Sequence, residues 1–154
     1  MANELNRGMF KRGKRMKYTV QLLDEIWDIF RKDETLAMLL KVKDPTSLAE
    51  WNTKMRRGLA GAELVDEKQD IYFVMSFIPS VGGTKNWMVN KNMLEFRLIG
   101  RSNNRKLMND LYIHLNKLLK KHYEDMSVYA EGSFSTGTAG LIGYMFRVRP
   151  FTWS

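Results

Sequence analysis

Few side chains in this sequence can do chemistry, and their spacing limits what they can do together. The two histidines, His114 and His122, stand eight residues apart. On a helix that places them within about 40° on the wheel but two turns apart, ~12 Å, too far to share a metal ion. Asp110, four residues before His114, stands where it could orient that imidazole. The plainer reading is a surface or half-buried helical histidine. There is no cysteine, which excludes thiolate nucleophiles, thiolate metal sites and disulfides together and fits a reducing compartment. Gly82-Gly83-Thr84-Lys85 has the residues of a phosphate loop in the wrong order, since Gly-Lys-Ser/Thr must open a helix. Gly132-Ser133-Phe134 is not a nucleophile elbow. Gly137, Gly140 and Gly143 lack the strand–turn–helix frame of a dinucleotide site. The acid pairs Asp24-Glu25, Asp66-Glu67 and Glu124-Asp125 fall on solvated faces or loops. The sequence thus reads as a non-enzyme with no catalytic residue, no metal site and no cofactor, a protein that acts by binding.

Four features are candidates for that binding. Residues 1–17 hold six basic side chains, among them Lys11, Arg12, Lys14, Arg15 and Lys17, against Glu4, a local balance of +5 in a chain of net charge +8. The remaining sequence is therefore nearly balanced and the excess sits on an N-terminal segment. With Gly8 and Gly13 and few apolar side chains, it reads as a flexible arm that orders against a partner. Three readings stand open: a solvated tail, a grip on an acidic protein surface, or non-specific, salt-sensitive DNA contact. One aromatic, Phe10, is too few for base stacking. The second feature is the polar stretch 79–91, which carries Lys85, Trp87 and Lys91. Trp87 either anchors an interface or tucks under its hairpin. The third is the end, where Phe151 and Trp153 cover the core or meet a neighbour. The fourth is the pair of edges that any open sheet presents.

The elements that must position these residues follow from hydrophobic period. Val20, Leu23, Ile26, Trp27 and Phe30 form a helical stripe over 19–32. Asp33 is placed to cap a short helical piece that buries Leu36, Leu39 and Leu40. Lys43-Asp44-Pro45-Thr46 is a break. Ser47 and Glu50 have capping-box spacing, which predicts a helix over 48–57 with Leu48, Trp51 and Met55 on one side, ended by Gly58 and Gly61. Strands are predicted over 71–78 and 92–100, the second alternating Leu94, Phe96 and Leu98 against Glu95 and Arg97 so that one face is buried. Ser102 or Asn103 caps a helix of about 20 residues with the stripe Leu107, Leu111, Leu115, Leu118 and Leu119. Strands over 128–134 and 141–149 flank a turn at 136–140. The expected fold is α+β: a two-layer sandwich in α-β-β-α-β-β order, a four-stranded, mainly antiparallel sheet with two helices on one face, and an N-terminal arm. Residues 1–17 are the arm and 18–154 a single domain, a size that can hold a core without staples. No apolar h-region follows the basic N-terminus, so no signal peptide is expected. The apolar run Leu36–Leu40 is far short of the ~20 residues that span a bilayer, so no membrane role is expected.

Several stretches resemble the tail terminator and tail-completion (head-tail joining) proteins of tailed bacteriophages. They are Val20-Gln21-Leu22-Leu23-Asp24-Glu25-Ile26-Trp27 with Asp33–Leu40, Phe77-Ile78-Pro79 followed by Leu94–Ser102 and a helix, and Glu131-Gly132-Ser133-Phe134 with Gly143–Val148. The resemblance spans about residues 19–149 and rests on order and spacing. It implies a virion structural protein, assembled in the host cytoplasm, that forms a homo-oligomeric ring, usually a hexamer. Such a ring ends the tail tube and joins it to the head, with the tail tube protein and a neck or connector protein as partners. The alternatives are another neck ring protein, or a nucleic-acid-binding accessory protein acting through the basic arm.

Overall fold

The computed structural model describes residues 19–59, 65–78, 93–124 and 126–149. Four helices and five strands follow one another along them: α1 (Thr19–Arg31), α2 (Glu34–Leu39), α3 (Leu48–Lys54), β1 (Met55–Leu59), β2 (Ile71–Ile78), β3 (Met93–Arg101), α4 (Arg105–His122), β4 (Ser127–Phe134) and β5 (Leu141–Arg149). The sheet order is β1-β2-β3-β5-β4. All its pairings are antiparallel except β1 with β2. The fold is α+β, but among the described residues the sheet has five strands, not four, and the element order begins α-α-α-β rather than α-β.

The correction lies at 48–59. Ser47 caps α3 through Glu50 N–H at 3.2 Å, as the capping-box spacing predicts. The Glu50 carboxylate does not return to the Ser47 amide. It accepts from the Lys43 and Asp44 amides at 2.7 and 2.8 Å and so closes the preceding turn. These two bonds, the Lys43 one first, hold its carboxyl below the usual glutamate range. The helix then stops at Lys54. Met55 turns extended (φ −122°, ψ 100°) and starts β1 with no intervening loop. Trp27 Nε1 donates to the Met55 carbonyl at 3.1 Å, and Arg57 lies 4.8 Å from the Trp27 ring while pairing with Asp24. Tertiary contacts with α1 and β2 thus override a weak local helical pattern. Leu48 is exposed, while Trp51 and Met55 are fully buried.

α2 is capped as expected, Asp33 accepting from Leu36 N–H at 2.8 Å. Its end is a Schellman turn, with Val42 N–H on the Ala37 carbonyl and Lys41 in the left-handed region at φ 57°, a place where glycine is usual. Asn104, not Ser102 or Asn103, caps α4, accepting from Leu107 N–H at 3.3 Å.

Helices and sheet meet in one apolar cluster. α1 contributes Leu22, Leu23, Ile26, Trp27 and Phe30, and α4 contributes Met108, Leu111, Leu115, Leu118 and Leu119. The alternate residues Ile71, Phe73 and Met75 of β2, Leu94, Phe96 and Leu98 of β3, and Phe146 and Val148 of β5 face them. At the centre Phe96 stacks on Phe146 at 4.8 Å and lies 6.3 and 6.2 Å from Phe30 and Phe73. Tyr112 meets Phe146 edge-on at 5.1 Å. One ring system therefore joins α1, β2, β3, β5 and α4, and such pairs add stability beyond their buried area. Phe96→Ala is expected to lower the unfolding free energy by about 3–5 kcal/mol, read from the midpoint of a urea titration.

Candidate functional site

The opposite sheet face is not a plain solvated surface. Parity places Arg56 of β1, Tyr72, Val74 and Ser76 of β2, Glu95, Arg97 and Ile99 of β3, and Leu141, Met145 and Arg147 of β5 on it. Tyr72, Val74, Ile99 and Leu141 form a second, small apolar cluster, with Val65 and Phe134 packed against it. Beside it Glu95 is only 1% exposed, and its register partner Ser76 is 2% exposed. The alternation of β3 predicts Glu95 on an unburied face. The structure buries it and supplies two cations: Arg97 Nε donates to Oε1 at 2.5 Å and Arg147 Nε, from the adjoining strand, to Oε2 at 2.9 Å. Both arginines keep about a third of their side chains exposed. Each carboxylate oxygen is thus satisfied, as burial of a charge requires.

Two arginine–ring contacts lie on the same face. Arg97 lies 5.6 Å from the Phe134 ring. Phe134 in turn lies over Gly143, its register partner on β5. A Cβ on Gly143 would stand 2.5 Å from that ring, so no larger residue fits without moving it. On the β1 side, Arg56 lies 4.4 Å from the Tyr72 ring and pairs with Asp66 at 2.5 Å. That pairing is the first cause of an Asp66 carboxyl held below the usual range. Asp66 N–H donates to the Tyr72 hydroxyl at 2.9 Å.

A second locus lies on the helix side, where the layer of helices falls short of the sheet edge. α4 covers β3 and β5 but leaves a recess of about 760 Å³ between its first turns and the β4–β5 hairpin. Arg105, Asn109 and Tyr112 of α4 form one wall, and Glu131, Ser133 and Tyr144 the other. The Tyr112 hydroxyl donates to Glu131 Oε2, and the Tyr112 ring meets Tyr144 edge-on at 5.3 Å. Asn116 Nδ2 donates to the Tyr112 carbonyl at 3.0 Å. Burial, then the bond to Glu131, pushes the Tyr112 phenol up to about 12. Burial and Glu131 raise Tyr144 as well. The hairpin that closes the recess turns on Gly137 and Gly140, both at positive φ. Thr136 Oγ1 lies 3.1 and 3.0 Å from the Thr138 and Leu141 carbonyls across that turn.

The residues singled out from sequence fare unevenly. Lys11, Arg12, Lys14, Arg15 and Lys17, and Lys85, Trp87 and Lys91, lie outside the described residues, as do Phe151 and Trp153. His114 is bonded through Nε2 to Asp33 at 2.6 Å, not to Asp110. It ties α4 to the cap of α2, a structural role. His122 ends α4 and is exposed. The acid pairs are not merely solvated: Asp24 pairs with Arg57, Asp66 with Arg56, and Glu25 accepts from the Tyr123 hydroxyl at 2.6 Å. Neither Glu95 with its two arginines nor the Glu131 recess is apparent from sequence. The only signal is a glutamate at an alternate position in each strand.

Among the described residues no group of three or more His, Asp or Glu side chains is placed to hold a metal ion. No helix there is long and apolar enough to cross a membrane. The sequence matches no known protein family, and none of the curated proteins matches it.

Two predictions follow from these loci. Replacing Arg97 and Arg147 together by Met leaves the buried Glu95 carboxylate without a counter-charge, and the cost is expected at about 3–5 kcal/mol. Chemical denaturation reads it, and adding Glu95→Gln should restore much of the loss. For Tyr112, the folded phenol lies above its ordinary value of 10.0, so the folded chain holds this proton more tightly than the unfolded one. The resulting stability is complete below about pH 10 and is lost as pH rises through about 12. Phenolate absorbance, taken as the difference from Tyr112→Phe, should show that late titration. In Glu131→Gln it should move partway down, since burial remains.

Proposed function

We propose that this chain is a structural ring subunit of a tailed-phage virion, ending the tail tube and joining it to the head or neck. The observation that carries this reading is how the phage-like stretches lie in the fold. The helical stretch Val20–Trp27 falls within α1. Leu94–Arg101 lies in β3 and leads directly into α4, and Glu131–Phe134 with Gly143–Val148 makes the β4–β5 hairpin. They belong to one packed unit, with α1 lying against the sheet that contains β3, β4 and β5. The sheet supports assembly too. It ends on two unlike strands among the described residues, β1 bonded in parallel and β4 bonded antiparallel through a bulge at Val128/Ala130. Unlike edges suit a heterologous contact, in which one patch of a subunit meets a different patch of the next and the series closes into a ring. The proposed partners are further copies of the chain and the tube and neck proteins of the virion, and the site of action is the tail end of the particle.

Sedimentation and negative-stain imaging of the purified protein test this directly. Closed rings, or a cap on tail tubes when tube protein is added, are the expected result. A single species of 18.1 kDa at high concentration, with no binding to tube protein, overturns the reading.

A further inference from the structure

The recess between α4 and the β4–β5 hairpin opens at the margin of the core, between Tyr112 and Tyr144 that pack on it. One wall carries an exposed carboxylate, Glu131, fastened by the Tyr112 hydroxyl. The rings of Tyr112 and Tyr144 stand beside it at 5.3 Å from each other. The Tyr112 phenol holds the carboxylate in place without neutralising it. A carboxylate next to aromatic rings is the environment that an ammonium or guanidinium group seeks, through charge-assisted hydrogen bonds and contact with ring faces. Among the described residues Arg105 is the one cation lining the recess.

The same wall is a sheet edge. Among the described residues β4 pairs with β5 alone, so its other side offers unpaired backbone groups. An extended segment adding to such an edge gains main-chain hydrogen bonds and points every second side chain to one face. On β4 that face carries Glu131 and Ser133 into the recess. The chain itself contains a complementary segment. Residues 1–17 hold a balance of +5, and the pairs Arg12/Lys14 and Arg15/Lys17 have the two-residue spacing that sets two cations on one face of a strand.

We propose that the recess receives a lysine or arginine from the basic N-terminal segment of a second copy, laid along the β4 edge. The inference rests on the ring reading, because it supplies the contact between successive subunits. It also gives the basic segment a protein partner rather than a nucleic acid.

The absence of cysteine permits a clean test by disulfide trapping in the full-length chain. Ser133→Cys and Lys14→Cys are made in separate chains, mixed and oxidised. A control mixture pairs Lys14→Cys with Met38→Cys, on α2 and 70% exposed. The expected result is a mixed dimer on a non-reducing gel, several-fold more abundant with Ser133→Cys than with Met38→Cys. Its yield should fall when Glu131→Gln is added to the Ser133→Cys chain, and fall as salt rises. Equal yields from the two mixtures, or no effect of Glu131→Gln, overturn the proposal. With both cysteines in one chain, a cross-linked monomer at high dilution instead assigns the occupant to the same copy and overturns the second-copy claim. Imaging of the same samples separates the two readings: rings without trapping sink the docking site alone, and trapped dimers without rings sink the ring alone.

Discussion

The ring stack centred on Phe96 is the contact on which the rest of the molecule depends. Phe96 sits on the middle strand of the sheet, bonded to β2 on one side and β5 on the other. Its stack on Phe146 and its contacts with Phe30 and Phe73 bring four chain segments to one point. That point fixes which sheet face takes the helices. Because strand side chains alternate, the choice for Phe96 and Leu98 also decides the fate of Glu95 and Arg97. The helix-side core and the charged opposite face are two consequences of one register.

That register explains why the outer face is polar yet partly buried. Glu95 must point away from the helices, and it is satisfied there by arginines from its own strand and from β5. The pairing Glu95↔Arg147 is a cross-strand relation, set by how β3 and β5 align. Buried charges held in this way specify alignment as much as they stabilise it. A slip by one residue would strand the carboxylate without partners. Gly143 plays the matching part for Phe134, since only a glycine leaves room for that ring above β5.

The helix layer is narrower than the sheet, and this mismatch generates the recess. α4 lies across β3 and β5, so β4 extends past it and presents Glu131 and Ser133 beside Tyr112. At the other end β1 is secured by Trp27 and by the Arg57–Asp24 pair. The two edges are therefore unlike in chemistry as well as in direction, which is what the proposed head-to-tail assembly would use.

Most of the elements were legible in the sequence because their signals are local. The stripe Leu23, Ile26, Trp27, Phe30 marks α1, the run Ile71–Ile78 is β2 to the residue, and Leu141–Arg149 is β5 to the residue. Caps at Asp33 and Ser47 were legible for the same reason, since each bond spans three residues. β1 was not, because Met-Arg-Arg-Gly-Leu has no strand pattern of its own and becomes one only against β2 and Trp27. The candidate site was not legible, since Glu95 and Glu131 stand at ordinary alternate positions of their strands and their partners lie elsewhere in the chain. Glu95 meets Arg147 across 52 residues, Tyr112 meets Glu131 across 19, and His114 meets Asp33 across 81. Periodicity and capping act within a few residues and so are written in the sequence. Which strand lies beside which, and therefore which charges share a face, is decided by packing over the whole chain.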